Sequence, residues 1–422
     1  MNVLLIGSGG REHAIAWKLS NSSKISQLYI APGNPGTAQF GVNLPLNPEN
    51  FEQLKQIILE KKITIVIVGP EAPLVAGITD YITSDAQLKN VYVVGPNKIA
   101  AQLEGSKAFA KQFMETYNIP TARYKAFTLD HYPDACNFID KLTPPYVLKA
   151  DGLAAGKGVI IEPNSEIAKH ELKLMLEGRF GKAGNTVVIE EFLSGIELSV
   201  FILTDGENYI MLPEAKDYKR VGNSDSGLNT GGMGAVSPVP FATPEFLEKV
   251  KTRIIEPTIN GLIAEQIHYC GFIFFGLINV DNNPYVIEYN CRMGDPETEV
   301  VMPRLKTDLG EILEMMQKGK LNEIDVAFNS EAAVTVMMVS GGYPGEFKKG
   351  YPVTIGNTQA SLVFYAGTSL ENNTLVTSGG RVITVTSLAK TIGEAARISY
   401  QTINNISFPD SHFRTDIGYE FI

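Results

Sequence analysis

The sequence predicts a multidomain protein of α/β and α+β class, with an N-terminal parallel α/β sheet domain, a mixed central region and a β-rich C-terminal domain. Three observations carry this reading. Up to about residue 103, short β-branched runs alternate with helical stretches. Between residues 272 and 289, two long apolar runs flank the turn residues Asp281-Asn282-Asn283. Beyond about residue 327, short alternating strands are punctuated by Gly341-Gly342 and Gly379-Gly380.

The N-terminal elements follow in order. Strand-like runs at 3–6, 28–30, 63–68 and 91–94 are separated by helical periodicity at 12–20 and 51–61, the rhythm of a parallel sheet. Three of these strands end in turns, Gly7-Ser8-Gly9-Gly10, Ala31-Pro32-Gly33-Asn34 and Gly69-Pro70-Glu71. Ligands of open parallel sheets bind beyond such carboxyl ends. The spacing then predicts one helix over 99–117, broken at Ile119-Pro120-Thr121, and a mixed region to about residue 192. A glycine-rich block at 227–234 precedes a helix over 244–266, and the apolar runs after it predict a β-hairpin. A last helix is expected near 392–406.

Composition narrows the function. The 422 residues include 36 Lys or Arg and 46 Asp or Glu, a net charge of −10 with no basic block, so no nucleic-acid partner is expected. No run approaches the roughly 20 apolar residues of a membrane span. The start lacks the basic and apolar regions of a secretory leader, and three scattered cysteines make no disulfide framework. A cytoplasmic protein with no membrane partner is expected.

Four blocks suggest chemistry. In Gly7-Ser8-Gly9-Gly10-Arg11-Glu12-His13, Glu12 stands where a dinucleotide fingerprint needs glycine, and no ribose-binding acid follows the second strand. A phosphate on the Gly9-Gly10 turn with Arg11 nearby is the better functional reading, against a turn that merely packs. His13 reads as a helix-surface or capping residue without a chemical role. The block Lys149-Ala150-Asp151-Gly152-Leu153-Ala154-Ala155-Gly156-Lys157-Gly158 has the wrong spacing for a P-loop, yet a lysine followed by a Gly/Ala loop suits a polyphosphate. An apolar strand at 187–193 offers backbone groups to an adenine edge, and Glu197 could accept ribose hydroxyls; a solvated acidic edge is the alternative. Glu288 and Asn290, two apart on a strand, share a face as hard oxygen ligands for Mg²⁺ bound to phosphates, with Arg292 adding an anion-binding fork. The alternative there is a salt-bridge network. The five histidines have no zinc spacing, and Gly-x-Ser-x-Gly does not occur.

Six blocks in register carry a closer resemblance. Gly7 to His13, Val68-Gly69-Pro70-Glu71-Ala72-Pro73-Leu74, Gln102-Leu103-Glu104-Gly105-Ser106-Lys107, Lys149 to Gly158, Asn229-Thr230-Gly231-Gly232-Met233-Gly234-Ala235 and Asn290-Cys291-Arg292-Met293-Gly294-Asp295-Pro296-Glu297-Thr298 resemble the phosphoribosylamine-glycine ligases of the ATP-grasp superfamily. The resemblance extends through Ser340-Gly341-Gly342-Tyr343-Pro344-Gly345 to Phe413-Arg414-Thr415-Asp416-Ile417-Gly418. It implies a ligase of purine biosynthesis that uses ATP, glycine and 5-phosphoribosylamine, with Mg²⁺ or Mn²⁺. It further implies an N-terminal domain over 1–103, an ATP-grasp core over 104–327 with a mobile lid at about 123–192, and a C-terminal domain over 328–422. By the same resemblance Lys107, Lys149, Gly156, Lys157 and Gly158 hold ATP phosphates, Glu190, Glu191 and Leu193 contact adenine, and Glu197 binds ribose. Glu288 and Asn290 hold the metal; on the preceding strand, where many members of the superfamily carry a third ligand, this chain has Gly276-Leu277-Ile278-Asn279. Arg292, Asp295 and Lys149 serve the chemistry. Asp217, Thr230, Gly231 and Gly232 lie about glycine and the amine, and Gly9, Gly10, Arg11, Gly33, Asn34 and Glu71 about the ribose phosphate. A monomer is expected, with association with other purine enzymes open.

Overall fold

The computed structural model describes residues 1–154, 158–358 and 360–422. Its N-terminal sheet is parallel, ordered Val42–Asn43, Gln27–Pro32, Asn2–Gly7, Ile65–Val68, Tyr92–Val94. Side chains alternate between its faces, so Leu4, Ile6, Val66 and Val68 enter one core while Val3, Leu5, Ile65 and Ile67 enter another. Strand order reverses between Asn2–Gly7 and Ile65–Val68, which opens a crevice beside Gly7 and Gly69.

A second sheet of eight strands runs through the rest of the molecule. Its order is Asn283–Asn290, Gly271–Val280, Ile196–Thr204, Tyr209–Asp217, Gly234–Ser237, Ala332–Val339, Arg381–Ala389, Leu362–Tyr365. The expected hairpin is its first pair. Val280 faces Asn283 across Asp281 and Asn282, whose positive φ values of 49° and 60° suit the primed turn of a two-residue loop. The C-terminal strands are continuous with this sheet, because Gly234–Ser237 pairs directly with Ala332–Val339. A helix, Ile392–Ile403, covers them.

A third, four-stranded sheet stands apart, ordered Tyr124–Thr128, Thr186–Glu191, Tyr146–Ala150, Val159–Glu162. With helices Tyr132–Ile139 and Ser165–Leu174 it buries its own cluster, including Phe127, Leu148, Leu172 and Ile189.

Two helices differ from expectation. The helix over 99–117 is divided into Gln102–Gly105 and Lys107–Thr116, because Ser106 is extended (φ −139°, ψ 115°) and caps the second piece through Phe109 N–H at 3.1 Å. Ser106 is drawn out of the helix by Asp151, which accepts its hydroxyl at 3.0 Å and the Ala108 N–H at 2.7 Å. The helix over 244–266 has a widened turn, Lys251–Ile255, between Pro244–Val250 and Glu256–Ala264. Pro257 has no N–H to continue the regular ladder, and the wider turn accommodates it.

Candidate active site

A cleft of about 200 Å³ lies between the four-stranded sheet and the hairpin, and Lys107, Lys149, Glu190, Glu288, Asn290 and Arg292 are among its lining residues. The fold explains how these distant positions meet. Lys107 opens its helix at the cap just described, and its ammonium donates to the carbonyls of Asp151 and Gly152 at 3.4 and 3.3 Å. Lys149 reaches across from the four-stranded sheet to the Ile287 carbonyl at 3.2 Å. Burial lowers the Lys107 pKa from its usual value.

Glu288 and Asn290 lie two apart on Asn283–Asn290 and share the cleft. The register sets Gly276 opposite Glu288, so the neighbouring strand brings no side chain to that point. Among the described residues no group of three or more His, Cys, Asp or Glu could hold a metal. A carboxylate and an amide with room beside them fit a hard divalent cation that takes its remaining oxygens from phosphates and water.

At the inner end of the cleft Arg292 is clamped by two carboxylates, donating to Glu104 at 2.7 Å and lying 3.4 Å from Glu71. Glu104 also accepts the Cys291 N–H at 2.7 Å. Burial works against charging these groups; even so, Arg292 is raised by Glu104 and Glu71, and Glu71 is held below its usual value by Arg292 and Arg11. Glu104, more deeply desolvated, is raised.

A second group of loops converges beyond Arg292. Asp295 is 2.9 Å from the Arg381 guanidinium, which also donates to the carbonyls of Asp295 and Gly231 at 2.7 and 2.6 Å. The Gly231 N–H donates to the Tyr343 hydroxyl at 3.0 Å. Thr230 fixes its own turn by donating to Lys219 O and accepting the Gly232 N–H. Gly232 has φ 118°, and a Cβ there would overlap Pro296. On the other side, the Arg11 N–H lies 3.5 Å from Asp295, and a Cβ on Gly9 would stand 3.2 Å from the same carboxylate. A Cβ on Gly10 would overlap Glu299. Nearby, burial raises Asp217, and Glu297 is pushed up to about 7 by burial and by Asp217.

Several sequence-selected residues have engagements that the sequence did not reveal. Arg11 is buried, with its guanidinium 2.5 Å from Glu12 and donating to Met293 O at 3.2 Å. The Asn34 amide nitrogen donates to Ser8 O and Tyr365 O at 2.8 and 2.7 Å, while its oxygen accepts the N–H groups of Gly36 and Thr37. Gly33 has φ 71°, and a Cβ on it would overlap Asn43. The strand carrying Glu190 ends at Glu191, so Leu193 lies in the connector, and the Glu191 side chain is paired with Arg123 at 2.6 Å. Glu197 is 2.6 Å from Lys219, which lowers its pKa, and both side chains keep access to water. Gly158 lines the cleft, whereas Gly156 and Lys157 lie outside the described residues. His13 is a correction. It is buried, its Nδ1 accepts the Tyr365 N–H at 2.7 Å, and its ring packs against Phe40, Phe364 and Tyr365. Lys111, Lys219 and Arg381 were not singled out from sequence, since none belongs to a glycine-rich or paired-acid signature; Glu104 and Tyr343 lie within the resembling blocks but carried no assigned role. Spacing alone could have found Lys111, four residues after Lys107 and so on a neighbouring face of one helix. A larger hollow of about 320 Å³, lined by residues such as Val200, Met211, Leu247 and Phe328, includes no sequence-selected site residue.

Comparison with known proteins decides the family. Residues 1–104, 105–298 and 333–420 match, in turn, the N domain, the ATP-grasp (A) domain and the C domain of phosphoribosylglycinamide synthetase. A phosphoribosylamine-glycine ligase of Mesorhizobium japonicum is 46% identical over 426 residues, covering 100% of this chain and 99% of the relative. The chain belongs to the phosphoribosylglycinamide synthetase family. The crystal structure of the phosphoribosylamine-glycine ligase of Thermotoga maritima superposes with a TM-score of 0.86 at 35% identity, covering 99% of this chain and 100% of that one. The biotin carboxylase domain of Hydrogenobacter thermophilus 2-oxoglutarate carboxylase shares the fold, with a TM-score of 0.70 at 17% identity, 96% of this chain and 90% of that one being covered.

Proposed function

We infer that the chain joins glycine to 5-phosphoribosylamine with ATP, giving glycinamide ribonucleotide, ADP and phosphate, the second step of purine biosynthesis. The observation that carries this is the cleft itself, lined by Lys107, Lys149, Glu288, Asn290 and Arg292, with Arg292 sharing the Met293 carbonyl with Arg11, whose N–H faces Asp295. A carboxylate is a poor acyl donor because its leaving group would be oxide. Phosphoryl transfer from ATP to glycine makes an acyl phosphate, the amine nitrogen attacks its carbonyl, and the C–O bond to phosphate breaks while the amine proton leaves with phosphate. Alignment and charge neutralisation are the main demands on the protein.

Lys107 and Lys149 are the phosphate ligands of this reading, with Gly158 lining the same cleft. Glu190, Glu191 and Leu193 border the adenine, and Glu197 accepts the ribose hydroxyls after Lys219 yields. Glu288 and Asn290 would hold Mg²⁺ or Mn²⁺. A bound divalent cation supplies neutralisation of phosphate charge. Arg292 and Asp295 orient the reacting groups; Asp217 and residues 230–232 enclose glycine and the amine. Gly9, Gly10, Arg11, Gly33, Asn34 and Glu71 form the wall toward the ribose phosphate, with Arg11 and Asn34 serving it through their backbone and by holding it in shape. The 123–192 unit is the lid of the 104–327 core, between domains 1–103 and 328–422, and its closure excludes water from an acyl phosphate that hydrolyses readily. A cytoplasmic monomer fits this reading.

The test is release of ADP and phosphate from Mg-ATP with glycine, with and without freshly generated 5-phosphoribosylamine, other amino acids serving as controls. Release that needs both substrates, with equal glycinamide ribonucleotide formed, is the expected result. Nucleotide binding without turnover on this pair would refute the named reaction.

A further inference from the structure

In the wall of the cleft three ionic side chains are buried in one row. Glu190 lies 3.0 Å from Lys149 through one carboxylate oxygen and 3.0 Å from Lys111 through the other. The three side chains are between 2 and 7% exposed. Lys111 also donates to Thr121 Oγ1 at 2.7 Å, which donates in turn to Val286 O at 2.7 Å, and it lies over the Tyr124 ring at 5.7 Å. Lys149 donates to Ile287 O, the next carbonyl along the same strand. Lys149 and Glu190 belong to the four-stranded sheet, whereas Lys111, Val286 and Ile287 belong to the elements below it. The row therefore crosses from the lid unit to the core.

Its charge arithmetic has a consequence. One carboxylate between two ammonium groups leaves a net charge of +1 facing the cleft. Were Lys111 neutral, Glu190 would belong to Lys149 alone, and that pair would offer phosphates no net charge. The buried carboxylate is ionised: although burial raises it, Lys149 and Lys111 hold it below its usual value. Burial lowers Lys111 itself to about 8.

We propose that Lys111 is a positioning residue for nucleotide binding, which by sharing Glu190 keeps the charge of Lys149 available to the phosphates and fixes the lid against the core. This rests on the assignment of Lys149 to the nucleotide phosphates. Lys111 also lines the cleft, and the role proposed for it is exerted through Glu190.

Charge balance gives a test that lost packing cannot imitate. The row carries +1 in the wild type, 0 in Lys111→Met, +2 in Glu190→Gln and +1 again in the double variant. Affinity for Mg-ADP and for a non-hydrolysable ATP analogue is measured by calorimetry, beside KM and kcat with both substrates. Lys111→Met is expected to weaken nucleotide binding at least tenfold and to raise the KM for ATP more than it lowers kcat. The double variant is expected to recover most of that loss, and Lys111→Arg to retain most of the affinity. Wild-type affinity in Lys111→Met, or a double variant weaker than both single ones, overturns the proposal. If Lys111→Met fails to fold, Lys111→Arg and the double variant still decide: a double variant that folds and binds at least tenfold more weakly than wild type also overturns it. Failure of the wild type to bind nucleotide would instead refute the underlying site assignment.

Discussion

Glu12 occupies space that three glycines leave open. Its carboxylate accepts the Gly9 N–H at 2.6 Å and the Arg11 Nε–H at 2.5 Å, and it fills the crevice so closely that a Cβ on Gly7 or Gly69 would overlap it. A side chain that shapes the turn from beneath replaces the glycine of a dinucleotide site. Removing it strands a buried guanidinium and an amide, so Glu12→Ala is expected to cost about 3 to 5 kcal/mol, read from urea unfolding; a loss below about 1 kcal/mol would refute that role. Glu288 lies at the other extreme, a cleft residue with little structural duty. Glu288→Ala is expected to abolish turnover at low Mg²⁺ while leaving the melting curve in place, and normal activity across a metal titration would remove it from the metal site.

Among the elements, the cap at Ser106 links secondary structure to chemistry. It ends one helix, starts the next and sets Lys107 at the first helical position. Ser106→Ala is expected to cost about 1 kcal/mol and to raise the KM for ATP, because the start of the helix and its lysine shift together. A changed stability with an unchanged KM would separate the two. The same element shows where sequence reading stops. Periodicity at 99–117 reports the buried face correctly, yet Asp151, 45 positions downstream of Ser106, decides where the helix divides. The hairpin was legible because its turn chemistry is local, and the glycine-rich loops because their backbone demands are written in residue type. Arg381 and Tyr343 carried no legible role, since theirs exist only through partners brought from other elements. His13 was misread for the same reason: its helix position says nothing of Tyr365, 352 residues away.

At the scale of the molecule, His13 joins the first domain to the last. Burial lowers its pKa from 6.5 to about 4. The unfolded chain therefore binds more protons between these values, and stability falls as pH drops from 6.5 toward 4. The loss amounts to about 3 kcal/mol below both values. His13→Asn, which retains an acceptor near the position of Nδ1, is expected to flatten that part of the stability profile measured by urea unfolding across pH 7 to 4. An unchanged slope would assign the acid sensitivity to other groups.

The long sheet also constrains when the protein can be completed. Gly234–Ser237 finds its outer neighbour only in Ala332–Val339, which in turn waits for Arg381–Ala389. During synthesis the strand at 234–237 must therefore remain an open edge until nearly a hundred further residues have been made, exposing unpaired backbone to other nascent chains. Chains released at residue 331 should precipitate, whereas chains reaching residue 389 carry the strands that cover that edge.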